Sequence, residues 1–372
     1  MEKILFNIPY QSNSFKNINL NYLKTFAGNG YWTKKVQKKL ENKFSFQKVL
    51  LTDSCTSALE IAALSLKLNK SDEVIIPSYS YPTTASAFLR CGYKLRFVDC
   101  CKNEPRINKD HFKKLLNKRT KAVILVHHAG QPDDLNFFLK LQKKYKFKII
   151  EDAAQCIDLK IGKKYLGSFG DFGCISFHES KNIHCGLGGA LIINNKNFNN
   201  ISHYIWERGT NRKDFDKNRV SKYTWIEVGS NFYPSEFQAM YLYDQIKKLK
   251  EVKKKKKIFY DLYEKNLKKL ILKKKIIGMN LKLKSNYHMK YILLKNINER
   301  EKLKRFLEKK SISCVSHYEP LHLSKVGIKL GKHKLNNAKN FSQRILRLPL
   351  HARLTMRQIQ YVCKSIENFF KV

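Results

Sequence analysis

Acidic residues are scarce in this chain. Its 372 residues hold 30 Asp and Glu against 73 Lys and Arg, a formal charge of +43. Long apolar runs are missing too: none approaches the roughly 20 residues that a membrane-spanning helix requires, so no membrane segment is expected. The opening MEKILFNIPYQSNSF lacks the charged start, long apolar stretch and small-residue cleavage site of a secretory leader, so a cytoplasmic protein is expected. The nine cysteines are odd in number and scattered without a CxxC pair. That pattern argues against a disulfide framework and a cysteine metal site and fits reduced thiols. No stretch rich in Gly, Ser or Pro divides the chain and no internal repeat is visible, so its parts are expected to pack closely.

What is abundant is lysine. A charge of this size resembles the electrostatic footprint of phosphate binding. Yet the runs KKVQKK, KKYKFK, KKLKEVKKKKK and LKKLILKKK fall on almost every expected helix face, and no RNA- or DNA-reading motif accompanies them. Solvated helix faces in a lysine-biased composition are the better account, and no nucleic-acid partner is expected. So large a charge still attracts anions, and a phosphate-bearing substrate would benefit.

Apolar periodicity sets the fold class. YWTKKVQKKLENKF places Trp32, Val36, Leu40 and Phe44 four apart, an amphipathic helix. After it, KVLLTDS, EVIIPS, KLRFVDC, KAVILVHH and KIIEDAA read as strands separated by the helical SALEIAALSLKL, PTTASAFLRCG and LNFFLKLQKKY, and GCISFH and GALIINN follow as further strands. Strands joined by helices of this length pair in parallel through right-handed crossovers, which predicts a doubly wound, mostly parallel α/β domain. From about Lys247 the texture changes to one long basic helix, then HMKYILL and ISCVSHY as strands, EREKLKRFLEKK as a helix and MRQIQYVCKSIENFF as a closing helix. The expected division is a large domain over 1–246 and a smaller α+β domain over 247–372.

In such sheets ligands sit at the carboxyl ends of the strands. There the sequence places Ser54, Cys55 and Thr56 opening directly into a helix, either a phosphate cradle at a helix N-terminus or a plain N-cap by Ser54 or Thr56. Tyr79 and Tyr81 follow the next strand, as core residues or as an aromatic plate. Asp152 ends a buried strand and needs a cationic or N–H partner. Ser176, His178 and Lys181 precede Gly186, Gly188 and Gly189. A lysine in a buried turn must be desolvated or paired, so it calls for a reason. A phosphate cradle, an aromatic plate, a buried carboxylate and a lysine together describe a site for pyridoxal 5'-phosphate. The lysine would carry the cofactor and move a proton, and the carboxylate would keep the pyridine nitrogen protonated. The paired His127 and His128 suggest a metal, but neighbouring strand residues point to opposite faces; one is expected in the core and one near the site, with no metal.

The motifs SCTSALE, DEVIIPSYSY, VHHAG, EDAAQ, SFHESKN, GLGGALI, RGTNR, KYTW, HYEPLH and LRLPL, in this order, resemble the DegT/DnrJ/EryC1/StrS sugar aminotransferases, a branch of the aspartate aminotransferase fold (pyridoxal-phosphate fold type I). Within that family the likeness is strongest to transaminases that convert dTDP-4-dehydro-6-deoxyglucose to dTDP-4-amino-4,6-dideoxygalactose with glutamate, for enterobacterial common antigen. The resemblance implies that Lys181 bears the cofactor and Asp152 pairs its ring nitrogen. Gln155 and His178 would lie around the ring and Tyr81 would stack on it. Cys55, Thr56 and Ser176 would hold the phosphate, and Asn231 would reach the phosphate of a partner subunit in a homodimer with shared sites. Arg208, Arg212, His317, Tyr318 and His322 are its candidates for the nucleotide-sugar end. Many relatives read GEGG where this chain has Leu187 in GLGG. His184 and Cys185 have no implied role and are expected at the surface. Dehydratases of the same fold carry histidine in place of the lysine, so Lys181 argues for transamination.

Overall fold

The computed structural model describes residues 3–11 and 25–371; part of the opening segment read above for a leader lies outside them. Seven strands form the central sheet: β1 Val49–Thr52, β2 Glu73–Pro77, β3 Lys94–Val98, β4 Thr120–Val126, β5 Lys148–Asp152, β6 Phe172–Ser176 and β7 Gly189–Ile193. Their spatial order is β1-β7-β6-β5-β4-β2-β3. β7 runs antiparallel to both neighbours and the remaining pairs are parallel. The mostly parallel α/β fold expected from the sequence is therefore present. β7 reverses because only a tight loop, and no crossover helix, separates it from β6.

Alternate residues of the strands feed two apolar layers. Leu50, Val74 and Ile76 pack on one face, Val49, Leu51 and Ile75 on the other, as the period of two requires. Helices α1 Tyr31–Phe44, α2 Cys55–Ser65, α3 Pro82–Arg90 and α4 Leu135–Tyr145 lie where the periodicity predicted them. Ser54 caps α2 by accepting from Ser57 N at 3.0 Å.

The long helix, α5 Glu236–Leu272, starts well before the Lys247 expected from the basic texture. Its start is a capping box: Ser235 takes the Gln238 N–H, and the Gln238 side chain takes the Ser235 N–H. Positions 246 and 247 thus fall inside one continuous helix. Ala239, Leu242 and Ile246 of α5 join the layer beneath the sheet, whereas Phe259, Tyr263 and Leu267 pack with the C-terminal lobe. That lobe is built on an antiparallel pair, β8 Lys290–Leu293 and β9 Ile345–Leu348, with α6 Ile297–Lys309, α7 Asn336–Arg344 and α8 Met356–Phe370. ISCVSHY, expected as a strand, makes only single bridges, Ile4 to Ile312 and Val315 to Arg347. The pairing ends there because the chain turns into the sheet domain, where Tyr318 N donates to the Tyr79 hydroxyl at 3.0 Å.

Among the described residues no helix is long and apolar enough to cross a membrane, and no group of His, Cys, Asp and Glu could hold a metal ion.

Candidate active site

Strand register brings the site together. Asp152 at the end of β5 lies beside Val126 of β4 and Cys174 of β6, and Gly189 at the start of β7 pairs with both Thr52 of β1 and Ser176 of β6. A cavity of about 350 Å³ opens at this edge, lined by Cys55, Thr56, Tyr81, Asp152, Gln155, Ser176, His178, Lys181 and Tyr318, among others. A second cavity of about 620 Å³ shares Tyr81, Lys181 and Tyr318 with it and extends to Phe6, His317 and Arg347.

Lys181 stands in the loop joining β6 to β7. The loop is pinned by Phe177 N to Gly188 O at 2.8 Å, Glu179 N to Gly186 O at 2.8 Å and Lys181 N to His178 O at 2.9 Å. Burial pushes the Lys181 ammonium toward the neutral amine, while Cys55 and Asp152 pull the other way. Asp152 is buried; its Oδ2 accepts from Thr84 Oγ1 at 2.7 Å and its Oδ1 from Ala154 N at 3.2 Å. Gln155 Oε1 takes Ala129 N at 2.6 Å, which leaves its amide NH2 as the end available to a ligand. Ser180 contacts His178 Nδ1 through both hydroxyl and N–H, at 3.0 and 3.2 Å.

The turn at Ser54–Thr56 fits a phosphate. It opens α2, whose first N–H groups point out of the helix. A Cβ on Gly189 would fall on Cys55 N and on the Ser54 carbonyl carbon, so only glycine lets β7 lie against this turn. The residues present therefore suit pyridoxal phosphate: an N-terminal turn for the phosphate, a held carboxylate, and a lysine in one cavity.

His127 and His128 do divide. His127 Nε2 meets buried Glu151 at 2.9 Å and its Nδ1 accepts from Asp133 N at 3.2 Å. The Nε2 of His128, by contrast, is buried without a partner among the described residues. His128 borders the 350 Å³ cavity, and burial, with Arg347 and Lys181 nearby, lowers its pKa to about 3, so the ring is neutral. Of the two tyrosines, Tyr79 is core, its hydroxyl donating to His317 O, and Tyr81 stands half exposed at the cavity.

Other expected residues lie elsewhere. His322 is buried in packing, its Nδ1 2.6 Å from Ser78 Oγ, and does not line either cavity. Arg208 stacks over Tyr233 and Arg212 lies 3.7 Å from Asp216 on the surface. Neither they nor the exposed Asn231 reach Lys181 within one chain. His184 and Cys185 are not surface residues: His184 Nε2 lies 2.7 Å from Tyr10 O and Cys185 Sγ donates to Leu187 O at 3.2 Å, both buried.

Two cations were missed by the sequence reading. Lys256 comes from a run read as a solvated face, yet it is 3 % exposed. Its Nζ donates to Asn182 Oδ1 at 2.7 Å and to His288 O at 2.8 Å, tying α5 to the residue after Lys181. Burial, then Arg347 and Lys181, lower its pKa to about 7. Arg347 sits between Leu346 and Leu348 in buried β9, and a charge inside an apolar strand was the signal that could have found it.

A model of the DegT/DnrJ/EryC1/StrS aminotransferase family matches residues 16–367. The chain is 28% identical over 339 residues to GDP-perosamine synthase of Escherichia coli O157:H7, covering 90% of each. It is 28% identical over 331 residues to UDP-4-amino-4,6-dideoxy-N-acetyl-beta-L-altrosamine transaminase of Helicobacter pylori, covering 87% of this chain and 85% of that one. The sugar aminotransferase Spr1654 of Streptococcus pneumoniae, solved in its PLP form, superposes with a TM-score of 0.89 at 20% identity over 99% of both chains.

Proposed function

Since this chain belongs to the DegT/DnrJ/EryC1/StrS aminotransferase family and is a pyridoxal-phosphate-dependent aminotransferase of nucleotide-linked sugars, we propose that it moves an amino group from L-glutamate to C4 of a 4-keto-6-deoxy sugar. The acceptor taken is dTDP-4-dehydro-6-deoxy-D-glucose and the product dTDP-4-amino-4,6-dideoxy-D-galactose, for enterobacterial common antigen or a related surface polysaccharide. The observation that carries the proposal is the meeting of Lys181, Asp152 and the Ser54–Thr56 turn at one cavity.

Pyridoxal phosphate supplies an electrophilic carbon for the amino nitrogen and a ring that withdraws electrons from the substrate carbon. The chain does the rest. Lys181 Nζ, favoured as the neutral amine by burial, anchors the cofactor and afterwards accepts and returns the proton that shifts between carbons. Asp152, fixed by Thr84 and Ala154, holds a proton on the ring nitrogen. The first-turn N–H groups of Cys55 and Thr56, with Ser176, bind the phosphate. Gln155 and His178 orient the ring, and Tyr81 covers one face and excludes water. His317 and Tyr318 lie toward the sugar.

We assign Asn231, Arg208 and Arg212 to the cavity of a second subunit. In support, the segment carrying them exposes Trp225 at 73 % together with Ile226 and Val228, an apolar patch of the kind covered by a partner. The molecular mass in solution checks this, and an active monomer would count against it.

The test of function is a panel of 4-keto sugars carried on dTDP, GDP and UDP, each incubated with glutamate and the purified protein. Amine appearing at C4 of the dTDP sugar is the expected outcome. Preferred turnover of the GDP or UDP sugar would move the assignment to the specificity named for the relatives, and no amine on any sugar would overturn it.

A further inference from the structure

We infer that Lys256 is a positioning residue for Lys181: a buried amine of α5 that clamps the next residue of the loop, Asn182, and governs how much positive charge the Lys181 nitrogen meets. The inference rests on the role proposed above for Lys181. Lys256 is 3 % exposed, and both acceptors of its Nζ are neutral oxygens, Asn182 Oδ1 at 2.7 Å and His288 O at 2.8 Å. The charges that bear on it are themselves cations, Arg347 and Lys181. An ammonium carries three N–H groups, so in this cradle the third is buried without an acceptor among the described residues. A neutral amine carries two, and both are used. Donor count and desolvation therefore favour the same state, the uncharged one.

From Lys256 a line of hydrogen bonds crosses to the cofactor cavity. Asn182 Nδ2 donates to Asn286 O at 3.1 Å, and Asn286 Nδ2 donates to Gln155 O at 2.8 Å and to Ile157 O at 3.1 Å. Asn182 and Asn286 are buried, so no bulk water replaces a lost partner. The clamp holds the chain on one side of Lys181, and the bond from Lys181 N to His178 O holds it on the other. It also shares Asn286 with Gln155, which lines the same cavity as Lys181. A nitrogen that must both anchor a ligand and move a proton needs a stem held in place by its neighbours.

Charge acts through the same contact. Lys256 is faced by Lys181 from the loop, His288 before β8, Arg347 of β9 and His351 after it. On α5 itself, Lys253 pairs with Asp158 and Lys257 with Asp261. Burial keeps both histidines neutral near pH 7, His351 with a pKa of about 4 and His288 well below the ordinary histidine range. Arg347 is a fixed cation. Lys256, lowered to about 7, is the neighbour of Lys181 in this set that changes charge near neutrality. Repulsion between two ammonium groups is reciprocal, so Lys181 holds a proton more weakly once Lys256 is charged.

Three full-length variants separate the clamp from the charge. Lys256→Met has neither donor nor charge, Lys256→Gln has an amide NH2 and no charge, and Lys256→Arg has donors and a fixed charge. The proton affinity of Lys181 is read in cofactor-free protein from the pH dependence of its acetylation by acetic anhydride, located by peptide mapping. The midpoint in Lys256→Arg should lie about one pH unit below that in Lys256→Gln, a tenfold loss of proton affinity, on the order expected of a unit charge several ångströms away inside a protein. After loading with pyridoxal phosphate, the rate at which L-glutamate bleaches the yellow protein is followed without any sugar. Lys256→Met should lower its maximum about 10-fold, within the cost of a misplacement of under ~1 Å, and leave the half-saturating glutamate concentration within about twofold. Lys256→Gln should recover most of that loss. Asn182→Ala should lower the maximum about as much, and adding Lys256→Met to it should lower it little further, because the two act in series. Equal midpoints in the Gln and Arg variants, an unimpaired rate in Lys256→Met or in Asn182→Ala, or losses that add, would each overturn the inference. Should Lys256→Met not fold, the Gln and Arg midpoints and the rate of Asn182→Ala decide. Parent protein in which borohydride fixes the cofactor on another lysine defeats the role given to Lys181, and this inference with it; fixation on Lys181 with unshifted midpoints defeats this inference alone.

Discussion

Asp152 and Arg347 face the active-site cavities from the sheet domain and from the C-terminal lobe, and they are held in opposite ways. On the sheet side the polar groups are already engaged: Asp152 by Thr84 and Ala154, Gln155 by Ala129, His178 by Ser180. On the lobe side Arg347 Nε is open, and on the sheet side His128 Nε2, just after β4, is an exception that has no partner among the described residues. Groups that are pre-positioned stabilise one ligand geometry without reorganising, which suits a cofactor that stays. Open buried donors and acceptors are stable only when filled, which suits a substrate that arrives and leaves. The contrast assigns the two halves of the reaction to two walls, and it can be broken or sharpened by substitution.

The largest effect belongs to Lys181, which serves both walls. Lys181→Ala should abolish turnover because the anchor and the proton carrier leave together, while the phosphate turn still retains some cofactor. Borohydride reduction of the parent followed by peptide mapping should label Lys181, and a label on another lysine would displace it from this role.

Next comes Asp152. Asp152→Asn keeps the Thr84 hydrogen bond but removes the charge, so kcat should fall by about 100-fold or more, of the order of 3 kcal/mol for a pre-positioned charge. Near-normal turnover would show that the sheet side does not act through the ring nitrogen.

Gly189→Ala tests the phosphate turn. The added Cβ forces β7 and the Ser54–Cys55 turn apart, at a cost of about 1–3 kcal/mol for overpacking. Cofactor retained after gel filtration should drop more than the thermal midpoint does. Full retention would mean that the turn is not the cradle.

The smallest effect concerns Lys256, which links the two walls. Its pKa is lowered to about 7 in the fold, from an ordinary value near 10.4 in the unfolded chain. Between these values the unfolded state binds more protons, so stability rises with pH across the window, by up to ~1.4 kcal/mol per unit. Below pH 7 the group is charged in both states and this slope vanishes. Lys256→Met lacks the group, so the stability of the parent minus that of the variant should grow from pH 7 to pH 9 in urea titrations. A constant difference would show that the lysine is not desolvated.

Much of the sheet wall was legible. Asp152, Ser176 and the Ser54–Thr56 turn follow short apolar runs, and in an α/β sheet strand ends converge, so local pattern implied position. Glu151 shows the same rule from the other side: one residue before Asp152, it points away and accepts from Gly167, Phe169 and Gly170 N–H groups at 2.6–2.9 Å. The lobe wall was legible only in part: HYEPLH named His317 and Tyr318, which line the larger cavity, but Arg347 and Lys256 lie far from them in the chain and no spacing names their partners. His322, read as a sugar contact from HYEPLH, turns inward to Ser78, whereas Tyr318, four residues earlier in the same motif, reaches the cavity. Which residues of one motif face a ligand is decided by how the loop docks.

The sequence by itself determined the order of strands and helices, the mostly parallel sheet and the lysine, carboxylate and helix start that mark its active edge. These follow from apolar period and turn chemistry, which act over a few residues. Only the tertiary structure decided which cations of a lysine-rich chain are buried. Lys256 and its neighbour Lys257 are alike in the sequence, but α5 turns one toward Asn182 and His288 and leaves the other paired with Asp261 in solvent. Desolvation depends on what packs against a side chain, and for Lys256 and Arg347 that packing comes from segments distant in the chain.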